Sequence, residues 1–163
     1  VYHQQEGWVD ESSPTEPTSF TGRRLLEAER LLHEFPATTI SLRLAGIYGP
    51  GRTRMVRNVE QGSLGTNRYT NRIHRDDCAG VLEHPLSVES PALVYVGVAA
   101  DPAPLSDVAA FIAERLGVAP PVLAGSPTGK RCRNTALIDS GYRFEVPSYR
   151  DGYGEIVDEY RRT

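Results

Sequence analysis

Residues 42–52 read LRLAGIYGPGR, and the fold class turns on this stretch. Just before it and into it, Ile40, Leu42 and Leu44 alternate with Thr39, Ser41 and Arg43. A period of two predicts a strand with one face in a core. Gly49-Pro50-Gly51 stops that strand: Pro50 fixes its own φ and removes a donor, and the glycines allow backbone geometry closed to other residues. The chain must therefore turn sharply where Tyr48 is presented. A loop at the C-terminal end of a strand is where open α/β sheets bind ligands.

Upstream, residues 1–19 are rich in Pro, Glu, Ser and Thr around a single large anchor, Trp8. They read as an ordered loop, because a lone tryptophan in such a stretch packs down on something. Leu25, Ala28, Leu31, Leu32 and Phe35 then recur at helical spacing from about Gly22 to Phe35. This predicts an amphipathic helix with Leu25 in the core, capped by Thr21 or Ser19 and ended by Pro36.

Downstream, the pattern allows a short helix near Arg54–Glu60 and a strand near Tyr69–Ile73. Asp76 or Asp77 caps a helix from about Cys78 to Leu86. Leu93–Val98 is β-branched and nearly continuous, as a strand buried on both faces requires. Ser106 opens a helix with a Val108, Phe111, Ile112 and Leu116 stripe that Gly117 ends. From Pro120 onward the reading is irregular, with helices near Thr135–Ser140 and Gly152–Arg161. Strand and helix alternating in this order predict a parallel α/β sheet. Two strands do not make a stable one, so an open sheet edge is expected.

With 163 residues, length alone predicts one domain. A net charge of −3 gives no reason to expect nucleic acid. The basic side chains are seventeen arginines and one lysine, Lys130, spread along the chain. A solvated surface role is the reading for any single arginine among so many. Lys130, Arg131 and Arg133 form the densest basic cluster, too short for nucleic-acid binding. Cys78 and Cys132 lie far apart without metal-ligand spacing, which predicts reduced thiols in a cytoplasmic protein. No apolar run has the length of a membrane span, so no membrane partner is expected. His3, His33 and His84 have no constellation around them.

The central stretch resembles the sixth-strand motif of the extended short-chain dehydrogenase/reductases, in the NAD-dependent epimerase/dehydratase group that acts mostly on nucleotide sugars. VYHQQEGWVDESSPTEP, EAERLL, NRIHRDDCAGVL and KRCRNTALIDSGYRFEVPSYRDGY resemble further pieces of that family in the same order. The resemblance implies an α/β fold: the C-terminal part of a Rossmann-like doubly wound parallel sheet, with a small substrate-capping lobe. Residues 1–52 and 74–117 would supply sheet and helices, and 53–73 and 118–150 the lobe. Val1 is not a methionine and the sequence is mid-motif within three residues. The expectation is a piece of a longer protein whose N-terminal half carries the dinucleotide fingerprint.

By position, the resemblance transfers the cofactor-binding strand end to Leu44, Ala45, Gly46 and Ile47. Small Ala45 and Gly46 suit close approach to a ligand, or simply tight packing at a strand end. Arg52, Arg72 and His74 are the substrate-binding candidates, with Arg54 and Arg57 in the same lobe, since arginine forks suit a nucleotide-sugar diphosphate. The cofactor implied is NAD or NADP, the partner a small-molecule substrate of nucleotide-sugar type, and the assembly allows a homodimer. Neither G-x-G-x-x-G nor a P-loop occurs in these residues. His74-Arg75-Asp76-Asp77 lacks the spaced pairs of a metal site.

The family's reaction uses a tyrosine and a lysine four positions later on one helix, where the ammonium lowers the phenol's pKa. Aligned on Gly22 and the EAE triplet, Thr21 stands at the tyrosine position and Leu25 at the lysine position. No Tyr-x-x-x-Lys occurs anywhere in these residues. This leaves three readings: an atypical enzyme using other residues, a non-catalytic NAD(P)-sensing protein on the same fold, or a scaffold without a ligand.

Overall fold

The computed structural model describes residues 1–3 and 6–162. The elements in chain order begin with β1 (Gly7–Val9), α1 (Phe20–His33), β2 (Ser41–Leu44), β3 (Gly46–Tyr48) and α2 (Arg54–Glu60). Then come β4 (Tyr69–Thr70), β5 (Arg72–His74), α3 (Arg75–Glu83), a 3-10 turn at His84–Ser87, β6 (Val94–Gly97) and β7 (Ala103–Pro104). α4 (Leu105–Leu116), β8 (Lys130–Cys132), α5 (Thr135–Asp139) and α6 (Tyr149–Tyr160) complete the chain.

The strand expected to run unbroken through residues 40–48 is two strands that change partner. β2 pairs in parallel with β6, Ser41 opposite Val94 through Leu44 opposite Gly97. Ala45 still donates its N–H to the Gly97 carbonyl at 2.9 Å, but Gly46 donates to the Asn71 carbonyl at 3.1 Å. From there β3 runs parallel to β5, with Gly46 opposite Arg72 and Tyr48 opposite His74. The segment after β6 follows the same move, since Ala99 donates to the Arg72 carbonyl at 2.8 Å. Ladders that part at a strand's C-terminal end open a crevice there.

Two ladders escape the expected pattern. Residues 1–19 contain β1, and the stretch after Pro120 contains β8, and the two pair in parallel across the whole chain. Each is three residues long, too short for a period of two to register. Trp8 is 41% exposed rather than sunk in a core. It lies between the guanidinium groups of Arg131 and Arg133, 4.7 and 4.6 Å from its ring, in paired cation–π contacts. β4 and β7 make the antiparallel pair.

α1 begins two residues before Gly22, capped by Ser19, one of the two expected caps, whose hydroxyl accepts from the Gly22 N–H at 3.0 Å. Its apolar stripe does not face a core: Leu25 is 55% exposed, and Leu31, Leu32 and Phe35 are exposed with it. Only Gly22 and Leu26 of the helix are buried. The helix is held instead through polar partners on β2, Glu29 to Arg43 at 2.7 Å and His33 to Ser41 at 3.1 Å. The expectation of Leu25 as a core residue is therefore corrected, because nothing among the described residues covers that face. β2 likewise has no strand on its other edge among the described residues. The outer side of β6 is closed by side chains: Glu11 accepts from the Val96 N–H and the Asn134 amide donates to the Val98 carbonyl.

Two apolar clusters hold the rest. Val56, Val59, Val108, Ile112, Tyr153 and Ile156 join α2, α4 and α6. Ile73, Val81, Tyr95 and Leu137 join β5, α3, β6 and α5, with Leu42 and Ile47 packed against them. α4 ends at Gly117 in the left-handed conformation, as its position predicts.

Neither aspartate caps α3. The cap is His74, whose ring nitrogen accepts from the Asp76 N–H at 3.5 Å. Asp77 is fully buried and accepts from the Glu145 and Val146 N–H groups at 2.9 and 3.0 Å and from the Tyr142 hydroxyl at 3.2 Å. It fastens the segment before α6 to α3. Replacing Asp77 by Ala empties its buried site and removes the acceptor of two partly buried backbone donors and the Tyr142 hydroxyl, so urea unfolding of Asp77→Ala should show a loss of roughly 2–4 kcal/mol. Exposed Asp76→Ala should lose less than about 1 kcal/mol, and equal losses would refute the role given to Asp77.

Candidate functional site

The crevice left where β2 and β3 exchange partners is a cavity of about 700 Å³. Gly46, Ile47 and Tyr48 form one wall, Asn71 and Arg72 the next, and Arg54, Arg68, Tyr69 and Lys130 close it. An adjoining cavity of about 550 Å³ shares Ile47, Tyr48, Arg54 and Tyr153 and adds Arg52 and Arg57. Such volumes suit a small organic ligand, and the lining is rich in arginine.

Of the expected cofactor-binding residues, Gly46 and Ile47 line the larger cavity, while Leu44 and Ala45 line neither cavity. Gly46 is exposed, and a Cβ there would meet the Asn71 carbonyl at 3.2 Å. Arg72 faces the larger cavity, its guanidinium donating to the Thr70 hydroxyl and lying 5.8 Å from the Tyr153 ring. Arg52 borders the smaller one and donates to the Ile47 carbonyl at 3.3 Å. His74 borders neither: it is 1% exposed, its ring edge-on to Tyr48 at 5.4 Å. Its Nε2 sits 3.1 Å from where a Cβ on Gly49 would stand, and Gly49 has φ +150°. The turn is thus built against His74, which shapes the site from behind.

Tyr48 is buried rather than presented by the turn. It stacks on Tyr153 at 4.9 Å and donates its hydroxyl to the Ser148 carbonyl at 3.3 Å. A Cβ on Gly152 would stand 2.5 Å from its ring, so the close packing of α6 on β3 requires glycine. Burial pushes the Tyr48 phenol well above its ordinary range, and does the same to Tyr142. Both stay neutral and serve as wall and brace.

Thr21 and Leu25 are both exposed on α1 and line neither cavity. One turn further along α1, Glu29 receives Arg43, whose guanidinium also donates to the Tyr2 hydroxyl at 2.9 Å. Burial raises the Tyr2 pKa, with Arg43 opposing it. Sequence reasoning missed Asn71 and gave Lys130 no role in the cleft. The Asn71 amide donates to the Lys130 carbonyl at 3.1 Å and its oxygen accepts from the Cys132 N–H at 2.7 Å. One side chain thereby does the work of a ladder between β5 and β8. The only signal was the basic cluster at 130–133, whose partner lies far away in sequence.

Parallel ladders that separate at their C-terminal ends over a ligand-sized cleft define a Rossmann-like α/β class. No family model matches the chain. It is 31% identical over 128 residues to protein YeeZ of Escherichia coli K12, an alignment covering 77% of this chain and 46% of YeeZ. A solved structure from Methylobacillus flagellatus, assigned as an NAD-dependent epimerase/dehydratase, superposes with a TM-score of 0.88 at 37% identity. That match covers 98% of this chain and 60% of the other. UDP-glucuronic acid 4-epimerase from Bacillus cereus, solved in complex with NAD, superposes with a TM-score of 0.79. Its match covers 99% of this chain and 57% of the epimerase, and at 21% identity it speaks to the fold alone. The chain's structural neighbours are NAD-dependent epimerase/dehydratase family members and extended short-chain dehydrogenase/reductases. It spans about half the length of the curated relatives it matches.

The raised phenols have a consequence for stability. A group that holds its proton more tightly folded than unfolded contributes fully below its unfolded pKa, about 10 for tyrosine, and the contribution fades as pH rises above it. Denaturant midpoints should therefore fall as pH rises above about 10. Tyr48→Phe should flatten part of that fall, and a profile in this variant parallel to the parent's would contradict the assignment.

Proposed function

We propose that the complete protein is an NAD(P)-dependent relative of the nucleotide-sugar epimerases and dehydratases, and that this chain supplies its substrate cleft and one wall of its cofactor site. The observation that carries the reading is the composition of the larger cavity. Gly46 and Ile47 come from the strand end, whereas Arg54, Arg68, Tyr69, Thr128 and Lys130 come from the segments read as the substrate lobe, or adjoin them. In this reading residues 1–52 and 74–117 belong to the nucleotide fold, and 53–73 and 118–150 to the lobe. The phosphate-cradling loop would lie in an N-terminal half outside these residues.

The open main chain at Leu44–Gly46 and the neighbouring Ile47 fit the flank of a nicotinamide ribose, since an exposed glycine there leaves the backbone approachable. Bound there, the dinucleotide would supply hydride exchange with a sugar carbon. The residues of this chain would bind and orient: Arg72, braced by Thr70 and Tyr153, would receive a diphosphate oxygen. Arg52 would neutralise charge at the cavity mouth, and His74 would hold the turn in place. Tyr48 and Tyr153 would wall the cleft and restrict water.

Thr21 and Leu25 offer neither phenol nor ammonium, which specifically favours a second reading, a non-catalytic NAD(P)-sensing protein on the same fold. Free thiols at Cys78 and Cys132 support a cytoplasmic location. No helix among the described residues is long and apolar enough to cross a membrane. The exposed apolar face of α1 supports a homodimer or a covering segment.

Calorimetric titration of the complete protein with NADH, NADPH and uridine diphosphate tests this directly. The reading expects binding of at least one dinucleotide, and a loss of uridine diphosphate affinity of roughly tenfold in Arg72→Met. Absence of binding by both dinucleotides would overturn the enzyme and sensor readings together. Turnover of a nucleotide sugar would separate the enzyme from the sensor.

A further inference from the structure

The two arginines of the chain's densest basic cluster lie outside the cleft. Arg131 and Arg133, together with Trp8 of β1, line neither cavity. β1 and β8 pair with Trp8 opposite Arg131, and the Arg133 N–H continues the ladder by donating to the Val9 carbonyl at 2.8 Å. A strand sends alternate side chains to one face, so Arg131 and Arg133 share theirs. Both guanidinium groups lie against the indole of Trp8, at 4.7 and 4.6 Å, and that of Arg131 also lies against the Tyr69 ring at 4.8 Å.

Stacking occupies the flat faces of a guanidinium and leaves its in-plane N–H groups for other partners. Among the described residues neither guanidinium forms an ion pair. The Arg131 Nε is shut off from solvent and has no acceptor, a state that a native site ordinarily relieves. The acids on and beside β1 are committed elsewhere: Glu6 to the Gly129 N–H, Asp10 to Ser12 and Ser13, and Glu11 to the Val96 N–H. Two like charges on one partly exposed ring thus stand without a counter-charge, in a chain whose 21 acidic residues outnumber its 18 basic ones.

We propose that the face of the β1–β8 ribbon formed by Trp8, Arg131 and Arg133 is an anion-binding site separate from the cleft, and that its ligand is a phosphate group. Arginine forks present paired donors to a phosphate or a carboxylate, and two of them on one face match the charge of a phosphate dianion better than that of a single carboxylate. Trp8 and Tyr69 hold the guanidinium planes before the ligand arrives, which lowers the entropy lost on binding.

The test titrates the complete protein with inorganic phosphate at constant ionic strength, read by calorimetry and by the part of the tryptophan fluorescence that Trp8→Phe removes. Phosphate should bind saturably and change that signal. Arg133→Gln, at an exposed position, should weaken phosphate roughly tenfold. Arg133→Lys keeps the charge without the fork and should recover part of the loss. No saturable response in the parent would overturn the proposal and leave the stack as a brace between β1 and β8. Phosphate affinity unchanged in Arg133→Gln would overturn it by placing the ion elsewhere, and an equal response to chloride would overturn it as charge screening. A stronger response to acetate than to phosphate would overturn it in favour of a carboxylate ligand.

Discussion

The structure depends on one exchange of hydrogen-bond partners. At Ala45 the main chain is still paired with Gly97 of β6, and at Gly46 it is paired with Asn71 beside β5. A backbone that leaves one ladder for another must keep every buried donor satisfied through the change, or forfeit about 1–3 kcal/mol for each one stranded. Small residues at 45 and 46 let two ladders converge on one strand without side-chain collision. Everything that lines the larger cavity is placed by that divergence, including the exposed backbone at Gly46 and the guanidinium of Arg72.

Side chains then carry connections that a longer sheet would make with main chain. Asn71 joins β5 to β8, Glu11 and Asn134 close the outer side of β6, and Asp77 binds the segment leading into α6. These bonds link positions far apart in sequence. Protection on the β6 side contrasts with α1 and the outer side of β2. There Leu25, Leu31, Leu32 and Phe35 remain exposed.

Legibility in the sequence followed the length and period of each element. α4 was readable because its stripe from Val108 to Leu116 spans more than two turns and ends on a left-handed Gly117. β6 was readable from an unbroken β-branched run. β1 and β8 were not, because three-residue strands carry no period and their pairing joins opposite ends of the chain. The face of α1 was misjudged because periodicity reports that a helix has an apolar side, not that this chain supplies its partner. Family likeness singled out the strand end at Leu44–Ile47 and the arginines at 52 and 72; the two cavities border Gly46, Ile47, Arg52 and Arg72, and neither Leu44 nor Ala45. His74 belongs to the turn's foundation instead, and Lys130 stood out only as a basic residue until Asn71 was seen beside it.

The most direct measurement is a crystal structure of the complete protein grown with NAD and uridine diphosphate. The account predicts the nicotinamide-side ribose against Gly46 and Ile47, with the diphosphate on the Arg72 side of the same cavity. Both ligands lodged elsewhere, with the crevice between β3 and β5 filled only by solvent, would contradict it.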